Sequence, residues 1–172
     1  ENIHDKGRDF IFSAPKSVSI AGLVYNNNKT LEKSEAGIEK DKNNSQNPII
    51  NAHEQAVKST INYIEKNYLT FRTKDTATKE ITHHQSQKLI SALFRHHSNR
   101  EQDPQLHTHA IIANIAYDKN NPNEYRCANF DKAYEDSKFL GAVYRSYLAK
   151  NITDLGYEIE RGNNIQSANT NN

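Results

Sequence analysis

The sequence predicts a single α+β domain, and three observations predict it. Its 172 residues suit one domain with a real core. Leu106–Ile115 (LHTHAIIANI) is a nearly continuous apolar run without Pro or Gly, as expected for a central strand covered on both faces. Phe139, Leu140, Val143, Tyr144, Tyr147, Leu148, Ile152 and Leu155 recur at three and four residues, the period of a packed helix.

Taken in order, Asp9–Ser13 (DFIFS) reads as a strand, and Pro15 can start but not continue an element, so a brief helix follows, capped by Ser13 or Ser17. Asn26–Asn47 is dominated by Asn, Lys, Glu and Ser and reads as an exposed, flexible loop. Asn47 and Pro48 suit an N-cap and first helical position. Ile50, Val57, Ile61, Ile64 and Tyr68 then share one face of a helix from about Pro48 to Asn67. Strands are expected at Leu69–Thr73 and Lys88–His97, with the Thr- and Lys-rich piece between them a turn or hairpin end. The last helix runs from about Asp136 to Leu155, with Gly156 as its left-handed stop. Tyr157–Glu160 reads as a returning strand, and the Asn-rich tail should fray.

Composition excludes little but some things firmly. The 22 basic and 21 acidic residues nearly cancel, so a polyanionic partner must be recognised by local arrangement rather than net charge. Cys127 is the only cysteine, which rules out an intramolecular disulfide and a cysteine-rich zinc cage. It reads as a buried, inert thiol in a reducing cytosol. No stretch approaches the roughly 18 apolar residues of a membrane helix, and the first residues lack the order of a signal peptide, so a soluble, cytoplasmic protein without membrane insertion is expected. The opening on Glu1 reads as an excerpt from a longer chain.

The chemistry concentrates in histidines. In a strand, residues two apart share a face with Cα atoms about 6.5–7 Å apart, so His107 and His109 can grip one ion while Thr108 faces away. His96, eleven positions earlier, is the natural third donor, because Asp103-Pro104 is a turn signal that would bring two strands side by side. Three neutral imidazoles leave positions open on the ion, the pattern of a catalytic rather than a structural metal. The alternative is a metal-free groove of hydrogen-bonded histidines. His97 competes with His96, and His4, His53, His83 and His84 read as surface residues.

Phe94-Arg95-His96, Ser98, Arg100-Glu101 and Asp103-Pro104-Gln105-Leu106-His107-Thr108-His109 together resemble the metal motif of conjugative relaxases of the TrwC/TraI type, which are HUH endonucleases. Asp9 to Ser19 (DFIFSAPKSVS) resembles the family's strand and turn, and Phe139 to Tyr144 (FLGAVY) its later helix. The resemblance implies a two-layer α/β sandwich, a mainly antiparallel sheet with helices packed on one face. It implies one divalent metal ion (Mg, Mn, Zn or similar) on His96, His107 and His109. It also implies strand-specific nicking and rejoining of DNA by a tyrosine at a plasmid transfer origin, with single-stranded DNA and other conjugation proteins as partners.

Asp9 matches the family aspartate credited with orienting a ligand histidine or accepting the tyrosine proton, and Lys16, Arg95 and Arg100 flank the motifs where they could hold phosphates. The relaxase-like domain is read as residues 1–165, with 26–47 an inserted loop and 166–172 a disordered tail. The family's tyrosines precede the aspartate block, whereas the first tyrosine here is Tyr25, so a catalytically inactive remnant that binds single-stranded DNA and metal is a second reading. A rolling-circle replication initiator, and a three-histidine hydrolase or oxygenase for small molecules, are further readings. A basic groove would favour DNA and a closed apolar pocket the small molecule.

Overall fold

A computed structural model describes residues 6–25, 47–121 and 124–160. The expected loop before Asn47, the tail after 160 and His4 lie outside the described residues. Strand β1 (Gly7–Ser13) leads into a short helix α1 (Lys16–Ile20) and a π-helical turn (Ala21–Tyr25). Helix α2 (Pro48–Tyr68) is followed by strands β2 (Thr70–Lys74), β3 (Ile81–Gln85), β4 (Ser91–Ser98) and β5 (Pro104–Ala113). The two-residue strands β6 (Ala116–Tyr117), β7 (Tyr125–Arg126) and β8 (Ala128–Asn129), then α3 (Asp131–Glu135) and α4 (Ser137–Asp154), complete the chain.

The principal sheet is antiparallel in the order β1-β5-β4. Alternation along β1 and β5 buries Phe10, Phe12, Leu106, Thr108, Ala110 and Ile112 on one face. Against that face pack Ile50, Val57, Ile61 and Ile64 of α2 and Leu140, Tyr144, Leu148 and Ile152 of α4, each set at helical spacing. This is the two-layer α+β arrangement that the family resemblance implies.

Local signals explain the helix ends. Asn47 accepts from the Ile49 and Ile50 amides at 2.9 and 3.4 Å, capping a helix whose first residue is Pro48. Gly156 sits at φ +87°, its amide bonded to Thr153 O at 2.8 Å and that of Tyr157 to Ile152 O at 3.3 Å, a glycine-terminated α4.

Several expectations are corrected. Neither Ser13 nor Ser17 caps α1; Ser19 instead donates to Pro15 O at 3.2 Å and accepts from the Leu106 amide at 3.0 Å, tying α1 to β5. Tyr157–Glu160 is not a strand; it lines a cleft with Pro15 and Val18 at α1 and with Leu148 and Ile152 of α4. The Thr- and Lys-rich piece is the hairpin end expected, a turn in which Asp75 accepts from the Ala77 and Thr78 amides, but it leads into a further, unexpected strand, β3, paired with β2. Cys127 is exposed rather than buried. Strand β5 is covered on one face only, since Ile111 is 44% exposed and its neighbours Ile11 and Phe94 are 57% and 51% exposed.

Candidate metal and DNA site

The uncovered face of the sheet carries the histidines, and strand register explains how they meet. His96 of β4 stands directly opposite His107 of β5, while Phe94 and Ile11 stand on either side of His109. Residues two apart share a face, so His96, His107 and His109 project together from two neighbouring strands. Their ring centres are 5.1, 5.2 and 5.4 Å apart.

The donor set fits a metal ion. Three imidazoles bound tetrahedrally at nitrogen distances of about 2.0–2.1 Å would hold ring centres about 5 Å apart, so the observed spacing is that of a shared centre. Among the described residues no three donor atoms are already drawn together as they would be about an ion. His107 Nδ1 lies 3.0 Å from Gln105 O and His109 Nδ1 lies 2.7 Å from Asp9 Oδ2. Those acceptors hold the proton on Nδ1 and leave Nε2 as the ligand atom, the arrangement in which outer partners orient metal-binding imidazoles.

The structure brings Asp9, His96, His107 and His109 together, with Lys16 and Arg100 at the same end of the sheet. Lys16 Nζ donates to Pro104 O at 3.1 Å, and Arg100 is exposed in the turn joining β4 to β5, a turn organised by the Asn99 side chain accepting from the Glu101 and Asp103 amides. Arg95 is not brought to this face. It projects to the helix side, paired with Glu54 of α2, and its Nε donates to His97 Nε2 at 3.1 Å. His97 therefore shares the side of Arg95 and leaves His96 as the third member of the cluster.

His53 was expected at the surface and is fully buried. Its Nδ1 is 2.7 Å from Tyr144 Oη and its Nε2 is 2.8 Å from Thr108 Oγ1. Burial, then the positive charge of Arg95, then His107, push its pKa down from 6.5 to about 4. Its spacing carried the signal: His53 lies three residues after Ile50 and four before Val57, inside the apolar stripe of α2.

Fold and site define a class, the two-layer α+β domains that carry a histidine cluster on an open sheet face. A family model described as TrwC relaxase matches residues 3–171. The multifunctional conjugation protein TraI of Escherichia coli (strain K12) is 30% identical over 168 residues, which are 92% of this chain and 8% of that protein. A metal-bound structure of the conjugative relaxase TrwC in complex with oriT DNA is 32% identical with a TM-score of 0.74, over 92% of this chain and 46% of that one. A TrwC complex with a 27-mer DNA comprising the recognition hairpin and the cleavage site is also 32% identical, with a TM-score of 0.73 over 92% and 48%. The chain belongs to the TrwC relaxase family. It spans about half the length of those solved relaxase chains and a small part of the curated TraI relatives. No described helix is long and apolar enough to cross a membrane.

Proposed function

We propose that this chain is the histidine-bearing part of a conjugative relaxase, holding one divalent ion and the single-stranded DNA to be nicked at a plasmid transfer origin. The observation that carries the reading is the imidazole trio on an open face with Asp9 behind His109. TrwC structures in complex with oriT DNA, metal-bound and copper-bound, support it. His96, His107 and His109 would hold the ion through their free ring nitrogens, and Lys16 and Arg100 would hold flanking phosphates. When bound, the ion supplies positive charge that polarises the scissile phosphate. In that reaction a tyrosine hydroxyl would give up its proton and attack phosphorus, the bond to the 3′ oxygen would break with that oxygen taking up a proton, and the 5′ phosphate would stay on the tyrosine until the 3′ hydroxyl reverses the exchange. Asp9 serves His109 first: its carboxylate accepts a hydrogen bond from Nδ1–H and fixes the ring.

Tyr25, the first tyrosine of the sequence, follows Gly22, whose carbonyl accepts from Asn47 at the start of α2 on the helix side of the sheet. Because Tyr25 follows the aspartate block rather than preceding it, the 172-residue polypeptide is expected to bind an origin-derived oligonucleotide without cutting it or forming an adduct that survives denaturation. Binding should weaken with salt by about 0.7 logarithmic units per phosphate contacted for each tenfold rise in salt. A salt-independent affinity would contradict the phosphate reading, and an adduct would make Tyr25 the first suspect nucleophile.

Asp9→Asn should lower affinity for Mn2+, followed by calorimetric titration, by roughly ten- to a hundredfold. Unchanged affinity would remove Asp9 from the site.

A further inference from the structure

On the helix side of the sheet, directly beneath the histidines, a second polar constellation joins the same two strands to one turn of α2. Thr108 lies between His107 and His109, and Arg95 precedes His96; the two stand opposite each other in the β4–β5 ladder. Both point away from the histidine face. Thr108 meets His53 and Arg95 meets Glu54, and His53 and Glu54 are consecutive residues of α2. Tyr144 of α4 holds the other nitrogen of His53, its ring edge-on to the imidazole at 5.7 Å and 85°.

We propose that His53 and Glu54 are positioning residues, a two-point clamp that sets the relative height of the two histidine-bearing strands and so the spacing of the three imidazoles. The proposal rests on the reading of those imidazoles as an ion site. The physical need follows from the topology. Backbone ladders fix β5 laterally between β1 and β4, but they resist movement perpendicular to the sheet only weakly. On the open face the apolar neighbours of the histidines, Ile11, Phe94 and Ile111, are largely exposed, so little packs there to oppose such movement. Metal ligands tolerate displacements of only about 0.2 Å, and functional sites on rigid elements need supporting contacts to hold them within about 0.5 Å.

The clamp supplies that restraint from below. His53 is wholly buried, so a nitrogen that lost Thr108 would have no water to turn to and would pull strand and helix out of register to find a partner. Glu54 and Arg95 form the matching anchor on β4, at the boundary of the core, with side chains 35% and 24% exposed.

The test is a titration of the purified chain with Co2+ alone, whose visible absorption reports both affinity and ligand geometry. Thr108→Val keeps the shape of the side chain and removes the hydroxyl; it should weaken Co2+ binding about tenfold and shift the absorption band, and Thr108→Ser should restore both. Glu54→Gln should weaken binding in the same direction. Ile64→Val, a core trim away from both contacts, should lower Tm without altering the affinity or spectrum of the folded chain. Wild-type Co2+ affinity in His107→Ala would remove the ion site and the clamp with it. Loss of binding in His107→Ala, together with wild-type affinity and spectrum in Thr108→Val, would overturn the clamp alone. Should Thr108→Val fail to fold, Glu54→Gln decides: unchanged affinity and spectrum there overturns the proposal.

Discussion

Replacing His107 with alanine is expected to weaken divalent-metal binding by on the order of a hundredfold, because two imidazoles remain where three set the geometry and outer-partner changes alone are worth ten- to a hundredfold. His96→Ala and His109→Ala should do the same. The fold should survive each change, since these side chains stand on the open face and their removal leaves no cavity in the core. Thermal unfolding without metal should therefore differ little from that of the unaltered chain. His83→Ala, on the exposed strand β3, is the control and should bind metal normally. Mn2+ titration of the four variants checks the expectation, and a His107→Ala protein within twofold of the unaltered affinity would dismiss the three-histidine centre.

Acid should destabilise the chain through His53. Its pKa is held down at about 4 in the folded state against 6.5 when unfolded, so the folded state keeps a neutral ring that the unfolded chain protonates. The stabilisation is fully present above pH 6.5 and is lost as pH falls toward 4, with a slope approaching 1.4 kcal/mol per pH unit and a total of about 3 kcal/mol. His53→Gln removes the titration. Urea unfolding of both proteins across pH 4–7 should show a stability difference that shrinks as the solution is acidified. A pH-independent difference would mean that His53 is protonated equally in both states.

Much of the fold was legible in the linear chain because its signals are local. Asn47-Pro48 marks a helix start through a side-chain cap and a residue with no amide proton to satisfy. Gly156 marks a helix stop because it tolerates a positive φ. The stripe through Leu140, Tyr144, Leu148 and Ile152 repeats at the helical period and is the buried face of α4. Strand β3 and the short strands β6 to β8 were not legible, since Ile81–Gln85 is exposed along most of its length and carries little apolar pattern.

The site divides along the same line. The sequence alone determined that His107 and His109 share a face, because alternation along a strand depends on nothing beyond the strand itself. It also showed that a turn at Asp103-Pro104 would return His96 or His97 to them, and the register that sets His96 opposite His107 decided between the two. Only the tertiary structure decided the partners. Asp9 meets His109 across a hundred residues because β1 and β5 pair in one particular register, and Arg95 turns to Glu54 because helix α2 packs beneath β4. His53 is buried rather than exposed because α4 closes over it with Tyr144. Such contacts depend on which faces meet when distant segments pack, and no local periodicity encodes that.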